Sequence, residues 1–150
     1  MNDAVPLVIN VSGLEKSFAG RKVVRDFSIQ VARGQIYGFL GPTCSGKTTT
    51  IRMLCGLLTP DAGSGQCLGM DILRDASAIK RRVGYMTQRF SYYEDLSIQE
   101  NLDFVARVYA LPNRKERVAR ALEDLGLTNR RRQLAGALSG GWKQRLALAA

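Results

Sequence analysis

One stretch constrains this chain more than any other: Gly41-Pro42-Thr43-Cys44-Ser45-Gly46-Lys47-Thr48. It reads G-x-x-x-x-G-K-T, the pattern of a loop that wraps phosphate. Its flanks agree. Gln35 to Leu40 reads as a short buried strand entering the loop. After Lys47 the apolar residues Ile51, Leu54, Cys55 and Leu58 recur on one helical face. Strand, glycine loop and helix in that order predict an α/β fold with a P-loop core on a parallel sheet.

The residue types explain what such a loop does. Phosphates carry several negative charges at neutral pH. The loop from Gly41 through Pro42, Thr43, Cys44 and Ser45 to Gly46 curls its successive backbone N–H groups into an anion-binding nest. The first turn of the following helix adds free donors and the positive end of a dipole. Lys47 is placed to reach the β- and γ-phosphates of a nucleotide. The Thr48 hydroxyl is placed to ligate the Mg²⁺ between them, and Thr49 to contact the α-phosphate. The alternative is a glycine-rich turn ahead of a core helix. The strand and helix on either side favour the nucleotide.

Upstream, Leu7, Ile9 and Val11 alternate with polar or smaller neighbours, as do Phe27, Ile29 and Val31. Both stretches read as half-buried strands, antiparallel and hairpin-built. Phe18 lies just before the second, beside Gly20. Its ring could stack on a base, although a core aromatic is the commoner reason for such a residue. Downstream, Thr59 to Gly65 reads as a turn cluster, Gln66 to Met70 as a short strand, and Asp71 starts a basic helical segment. Val83 to Gln88 reads as a strand ending in a polar residue, where a water or metal contact could sit.

The pattern then turns helical. Ser97-Ile98-Gln99-Glu100 is a capping box. Leu102, Val105, Ala106 and Tyr109, widened by Phe104, Val108 and Leu111, predict a well-buried helix ended by Pro112. A second helix carries Val118, Leu122 and Leu125 and closes at Gly126. Last comes Leu138-Ser139-Gly140-Gly141-Trp142-Lys143-Gln144-Arg145, where Ser139 suits an N-cap and two glycines open a helix. Close approach of a ligand and a plain flexible loop are equally compatible with that spacing.

Composition bounds the class. The chain has 150 residues and a formal net charge of +9. A basic balance suits nucleic acid, anionic lipid or polyphosphate, and solvated faces beside a phosphate site account for it most simply. No basic stripe interleaved with aromatics argues for base stacking. No apolar run approaches the roughly 20 residues of a membrane helix, and the N-terminus does not read as a signal peptide. Three cysteines without framework spacing suit a reducing compartment.

With these segments assembled, the chain resembles the nucleotide-binding domain of ATP-binding-cassette (ABC) transporters. The P-loop, the Tyr85-Met86-Thr87-Gln88 glutamine and the Leu138-Ser139-Gly140-Gly141 signature stand in the family's order. The run from Gln88 to Ser97, then Glu100-Asn101-Leu102, is similar to the bacterial drug-export branch. The resemblance implies three parts. Residues 1–96 would hold an antiparallel β subdomain and the P-loop core through the glutamine loop, 97–138 an α-helical subdomain, and 139–150 the signature and the start of its helix. ATP and Mg²⁺ are the implied ligands. Phe18 would stack on adenine, and Gln88 would sense Mg²⁺ and the attacking water. Ser139, Gly140 and Gly141 would touch the γ-phosphate held by a second copy in a head-to-tail dimer. Residues 89–96, with Phe90, Tyr92 and Tyr93, would face a transmembrane permease subunit. The implied location is cytoplasmic, peripheral on the inner face of the membrane, with no specific nucleic acid.

Three departures matter. Cys44 stands where the family usually has glycine, and Trp142 where glutamine, methionine or glutamate is common. The chain also stops inside the signature helix. The family's Mg²⁺-holding aspartate, catalytic glutamate and switch histidine would all lie downstream, and the chain has no histidine. The C-terminal part of the fold is thus expected to be missing, and this fragment is not expected to hydrolyse ATP by itself. Two other readings compete with an exporter ATPase. One is a soluble ABC-type ATPase acting on nucleic acid or ribosomes, and the other is an inert truncated remnant.

Overall fold

Two long strands open the chain, β1 (Leu7–Phe18) and β2 (Arg21–Ala32), paired antiparallel from Leu7↔Ala32 to Phe18↔Arg21. The two-residue turn Ala19-Gly20 has both φ values positive, 46° and 77°. That is the twist a tight hairpin requires. The structure is a computed structural model that describes residues 6–87 and 91–149. Their backbone divides into two compact units, which part between Tyr85 and Met86. The boundary drawn on the sequence at 96/97 lies inside the second unit.

In the first unit a four-stranded antiparallel sheet has the order β2-β1-β3-β4, with β3 at Ala62–Cys67 and β4 at Met70–Asp71. The turn expected over Thr59–Gly65 is therefore shorter, because Ala62 onward is strand. The reason is steric. Gly65, at φ 144°, pairs with Val11, and a Cβ there would meet the Asn10 carbonyl oxygen at 2.3 Å. Glycine lets β3 lie closer to β1 than any side chain would allow. Helix α1 (Lys47–Leu54) packs Met53 and Leu54 against Val11, Leu14 and Val24, with Ile72 and Ile79 completing the core. Ile79 belongs to the short helix α2 (Ala76–Lys80).

Two expected strands carry no ladder among the described residues. The first is Gln35–Leu40. Ile36 is 102% exposed and Leu40 95%, so this segment is not buried. Apolar residues give it strand propensity, but a parallel strand also needs neighbours to pair with. None is present among the described residues. Gln35 exchanges hydrogen bonds with Ala32, each at 3.4 Å, and the Phe39 ring lies 5.5 Å from that of Phe27. The second is Val83–Gln88, of which 83–87 is not assigned as strand and Gln88 lies outside the described residues.

The second unit is helical: α3 (Ile98–Val108), α4 (Arg114–Asp124) and α5 (Gly140–Ala149). Both halves of the capping box form, with Glu100 N–H donating to Ser97 Oγ at 3.2 Å and Ser97 N–H to Glu100 Oε2 at 2.8 Å. Gly126, at φ 65°, closes α4, and Leu127 N–H reaches back to the Leu122 carbonyl at 2.7 Å. This is the glycine-terminated helix end expected from sequence. Ile98, Leu102, Ala106, Val118, Leu122, Leu127 and Leu146 form one core. The expected burial of α3 holds for one face only. Phe104, Val108 and Tyr109 are exposed, so the apolar stripe is wider than the core it meets.

Candidate functional site

The phosphate-loop pattern folds as a loop with three positive φ angles, at Gly41 (156°), Cys44 (66°) and Gly46 (86°). Gly46 sits against β2. A Cβ there would stand 2.7 Å from the Val23 carbonyl oxygen, so only glycine fits. It is also the N-cap of α1, whose first backbone bond runs from Thr50 N–H to the Gly46 carbonyl at 2.9 Å. The amides of Lys47, Thr48 and Thr49 precede that bond and have no acceptor within the helix. Thr50 is buried and donates its hydroxyl to the same carbonyl at 3.1 Å, anchoring the turn from below.

Lys47 folds back over the loop. Its Nζ donates to the carbonyls of Gly41 (2.7 Å) and Pro42 (2.6 Å) and to Ser45 Oγ (3.2 Å). The ammonium therefore lies at the mouth of the nest that the sequence assigns to phosphate. Gly41, Pro42, Thr43, Cys44, Ser45 and Thr48 are exposed, and Thr49 is half-buried. This set fits a polyphosphate, with a fixed cation, free amides and an open hydroxyl. Among the described residues no group of three His, Cys, Asp or Glu could hold a metal by itself. A bound Mg²⁺ would depend on Thr48, phosphate oxygens and water, the usual habit of this ion.

Phe18 lies in the same unit, at the end of β1. It is 47% exposed, which removes the core-aromatic alternative. Lys16 Nζ is 5.8 Å from the ring centroid. Lys16 is held by the Thr59 carbonyl (2.8 Å) and Asp61 Oδ1 (2.6 Å), while Asp61 also accepts the Ser17 N–H. The Lys16 contact and the Ser17 amide hold the Asp61 carboxyl below its usual range. This clamp fixes the strand end that carries Phe18.

The signature residues open α5 in the second unit. Leu138 is buried, while Ser139, Gly140 and Gly141 are exposed. The Ser139 carbonyl accepts the Lys143 N–H at 2.9 Å and begins the helix. Among the described residues a Cβ at Gly140 or Gly141 would meet nothing within 4 Å. Contacts among those residues thus do not account for these glycines. Trp142 is gripped by two guanidinium groups, Arg130 Cζ at 4.6 Å and Arg145 Cζ at 4.8 Å from the ring centroid. Gln88, Arg89 and Phe90 lie outside the described residues. Tyr93 packs edge-on against Phe104 at 5.1 Å, and burial pushes the Tyr92 hydroxyl up.

Sequence reasoning gave no role to Asn101, which is wholly buried. A polar residue on the core face of an apolar helix was the available signal. The Glu94–Lys143 pair, 2.5 Å apart and far apart in sequence, left no such signal.

Residues 24–150 match the family described as ABC transporter. A probable multidrug ABC transporter ATP-binding protein, YbhF of Escherichia coli K12, is 43% identical over 99% of this chain and 26% of that protein. The daunorubicin/doxorubicin resistance ATP-binding protein DrrA of Streptomyces peucetius is 37% identical over 100% of this chain and 46% of that protein. The chain spans less than half the length of these relatives. Among solved structures, an ATP-binding subunit of an ABC transporter superposes with a TM-score of 0.79 at 25% identity, covering 95% of this chain and 60% of the other. The expected architecture, an N-terminal antiparallel sheet, P-loop and helical part of a larger α/β domain, agrees with that match.

Proposed function

The chain belongs to the ABC transporter family, and on that premise we propose that it is the ATP-binding and signature portion of an exporter ATPase subunit. The observation that carries the reading is Lys47, whose ammonium folds onto the loop and donates to the Gly41 and Pro42 carbonyls. Its present acceptors are two carbonyls and a hydroxyl, which a γ-phosphate outcompetes as a charged acceptor. Loop amides and the helix N-terminus take the remaining phosphate oxygens. Thr48 presents its hydroxyl to Mg²⁺, and Phe18 offers a ring face to adenine. When bound, Mg²⁺ supplies charge neutralisation across the phosphate oxygens. Gln88 would orient water beside it.

The open glycines support the second half of the reading. Ser139, Gly140 and Gly141 are exposed at the start of α5, where the first amides of a helix lack acceptors within it, as a γ-phosphate presented by a second copy would require. Residues 89–96 would meet a permease subunit, placing the protein on the cytoplasmic face of a membrane. No helix among the described residues is long and apolar enough to cross one. Relatives named for daunorubicin/doxorubicin resistance and for bacitracin transport favour export. In the whole protein, ATP-driven dimerisation and hydrolysis would power transport.

Displacement of a fluorescent ATP analogue by Mg-ATP tests the site. Phe18→Ala weakens binding by up to about tenfold, the worth of one aromatic stack. Thr48→Ala removes the dependence on Mg²⁺. Binding indifferent to both changes contradicts the assignment.

A further inference from the structure

Several residues of the second unit converge on one loop. Asn101 turns its buried amide entirely to backbone. Its Nδ2 donates to the carbonyls of Tyr93 (2.9 Å), Leu96 (3.3 Å) and Ser97 (3.0 Å), and its Oδ1 accepts the Tyr93 N–H (3.0 Å). From the other side, Gly136 N–H donates to the Glu94 carbonyl at 2.8 Å and Ala135 N–H to the Leu96 carbonyl at 2.9 Å. A Cβ at Gly136 would stand 3.0 Å from that Glu94 oxygen, so the two backbones are in close contact. Across the remaining gap, Lys143 Nζ in the first turn of α5 meets Glu94 Oε1 at 2.5 Å. The side chains are 22% and 61% exposed respectively. A pair so open contributes little to stability. What it adds is a direct side-chain tie between the loop and the first turn of α5, beside the backbone contacts at 134–136.

We propose that Glu94 and Lys143 are positioning residues which, with Asn101 behind them, fasten the loop 93–97 to the first turn of α5. Displacement of either segment is thereby carried to the other. The functional meaning rests on the preceding reading, in which this loop meets the permease and that turn meets a γ-phosphate. The fastening is then a physical link between the two, made of two discrete segments rather than a diffuse path.

Hydrogen–deuterium exchange on the full chain tests it. In Lys143→Met the Ala135 and Gly136 amides exchange faster by about threefold, the scale of one exposed ion pair. In Glu94→Gln the Lys143 amide and its neighbours in the first turn of α5 do the same. The exchanged pair, Glu94→Lys with Lys143→Glu, recovers both. Asn101→Ala accelerates the Ala135 and Gly136 amides at least about tenfold, because a buried amide network is lost. The Leu127 amide, bonded to Leu122 within the helical core, is the internal reference and does not change in the charge variants. Unchanged exchange at 135 and 136 in Lys143→Met overturns the proposal. So does equal acceleration at Leu127, or failure of the exchanged pair to recover. Mg-ATP binding is measured on the same samples. Its absence with the exchange pattern intact overturns the nucleotide reading and leaves the fastening standing.

Discussion

Cys44 occupies a left-handed backbone, φ 66°, inside the phosphate loop. A side chain in that region costs of order 1 kcal/mol or more relative to glycine. Cys44→Gly should therefore raise stability by about 1 kcal/mol in urea denaturation, with no loss of Mg-ATP affinity. An unchanged or lower midpoint contradicts the account of the loop. The strain was conditional in the sequence, since the pattern names the glycines but not the φ at an x position. Gly46 was more legible. Its place before the lysine anticipated a tight turn, and the structure adds the Val23 carbonyl that excludes any Cβ. Phe18 remained ambiguous in sequence because a single aromatic does not declare its exposure.

At the scale of elements, local chemistry was the most readable. Ser97 and Glu100 announced α3, and both reciprocal bonds form. Ser97→Ala should cost about 1 kcal/mol in thermal or urea unfolding. The Ser97 hydroxyl and amide hold the Glu100 carboxyl below its usual range. A depressed carboxylate contributes stability that is complete above the ordinary glutamate value, about 4.3, and is lost as pH falls through the folded value. Glu100→Gln keeps the box but removes the charge. Its stability should consequently fall less steeply below about pH 4 than that of the parent. Urea midpoints measured from neutral to acid check this, and identical acid limbs contradict it. Strand pairing was less legible. Ala62–Gly65 reads as turn by composition, yet Gly65 is what allows β3 to approach β1.

For the whole molecule, the fold class followed from strand, loop and helix order, whereas burial of Gln35–Leu40 did not. Burial depends on partners far away in the chain, which composition does not reveal. Ile36 and Leu40 consequently stand in solvent. Ile36→Ser and Leu40→Ser should each change stability by less than about 0.5 kcal/mol and should reduce self-association in light scattering. A large loss of stability contradicts their exposure. The site residues that lie outside the described segments, Gln88 above all, rest on the family's order of motifs. Lys47, by contrast, lies within the described residues, where its ammonium contacts the loop carbonyls of Gly41 and Pro42. The most direct test is isothermal titration calorimetry of the chain with Mg-ATP, parent against Lys47→Ala. The parent binds, and the variant weakens by at least about a hundredfold, consistent with losing a charge-assisted contact of roughly 3 kcal/mol. Equal affinity in the two proteins contradicts the assignment of this loop as the nucleotide site.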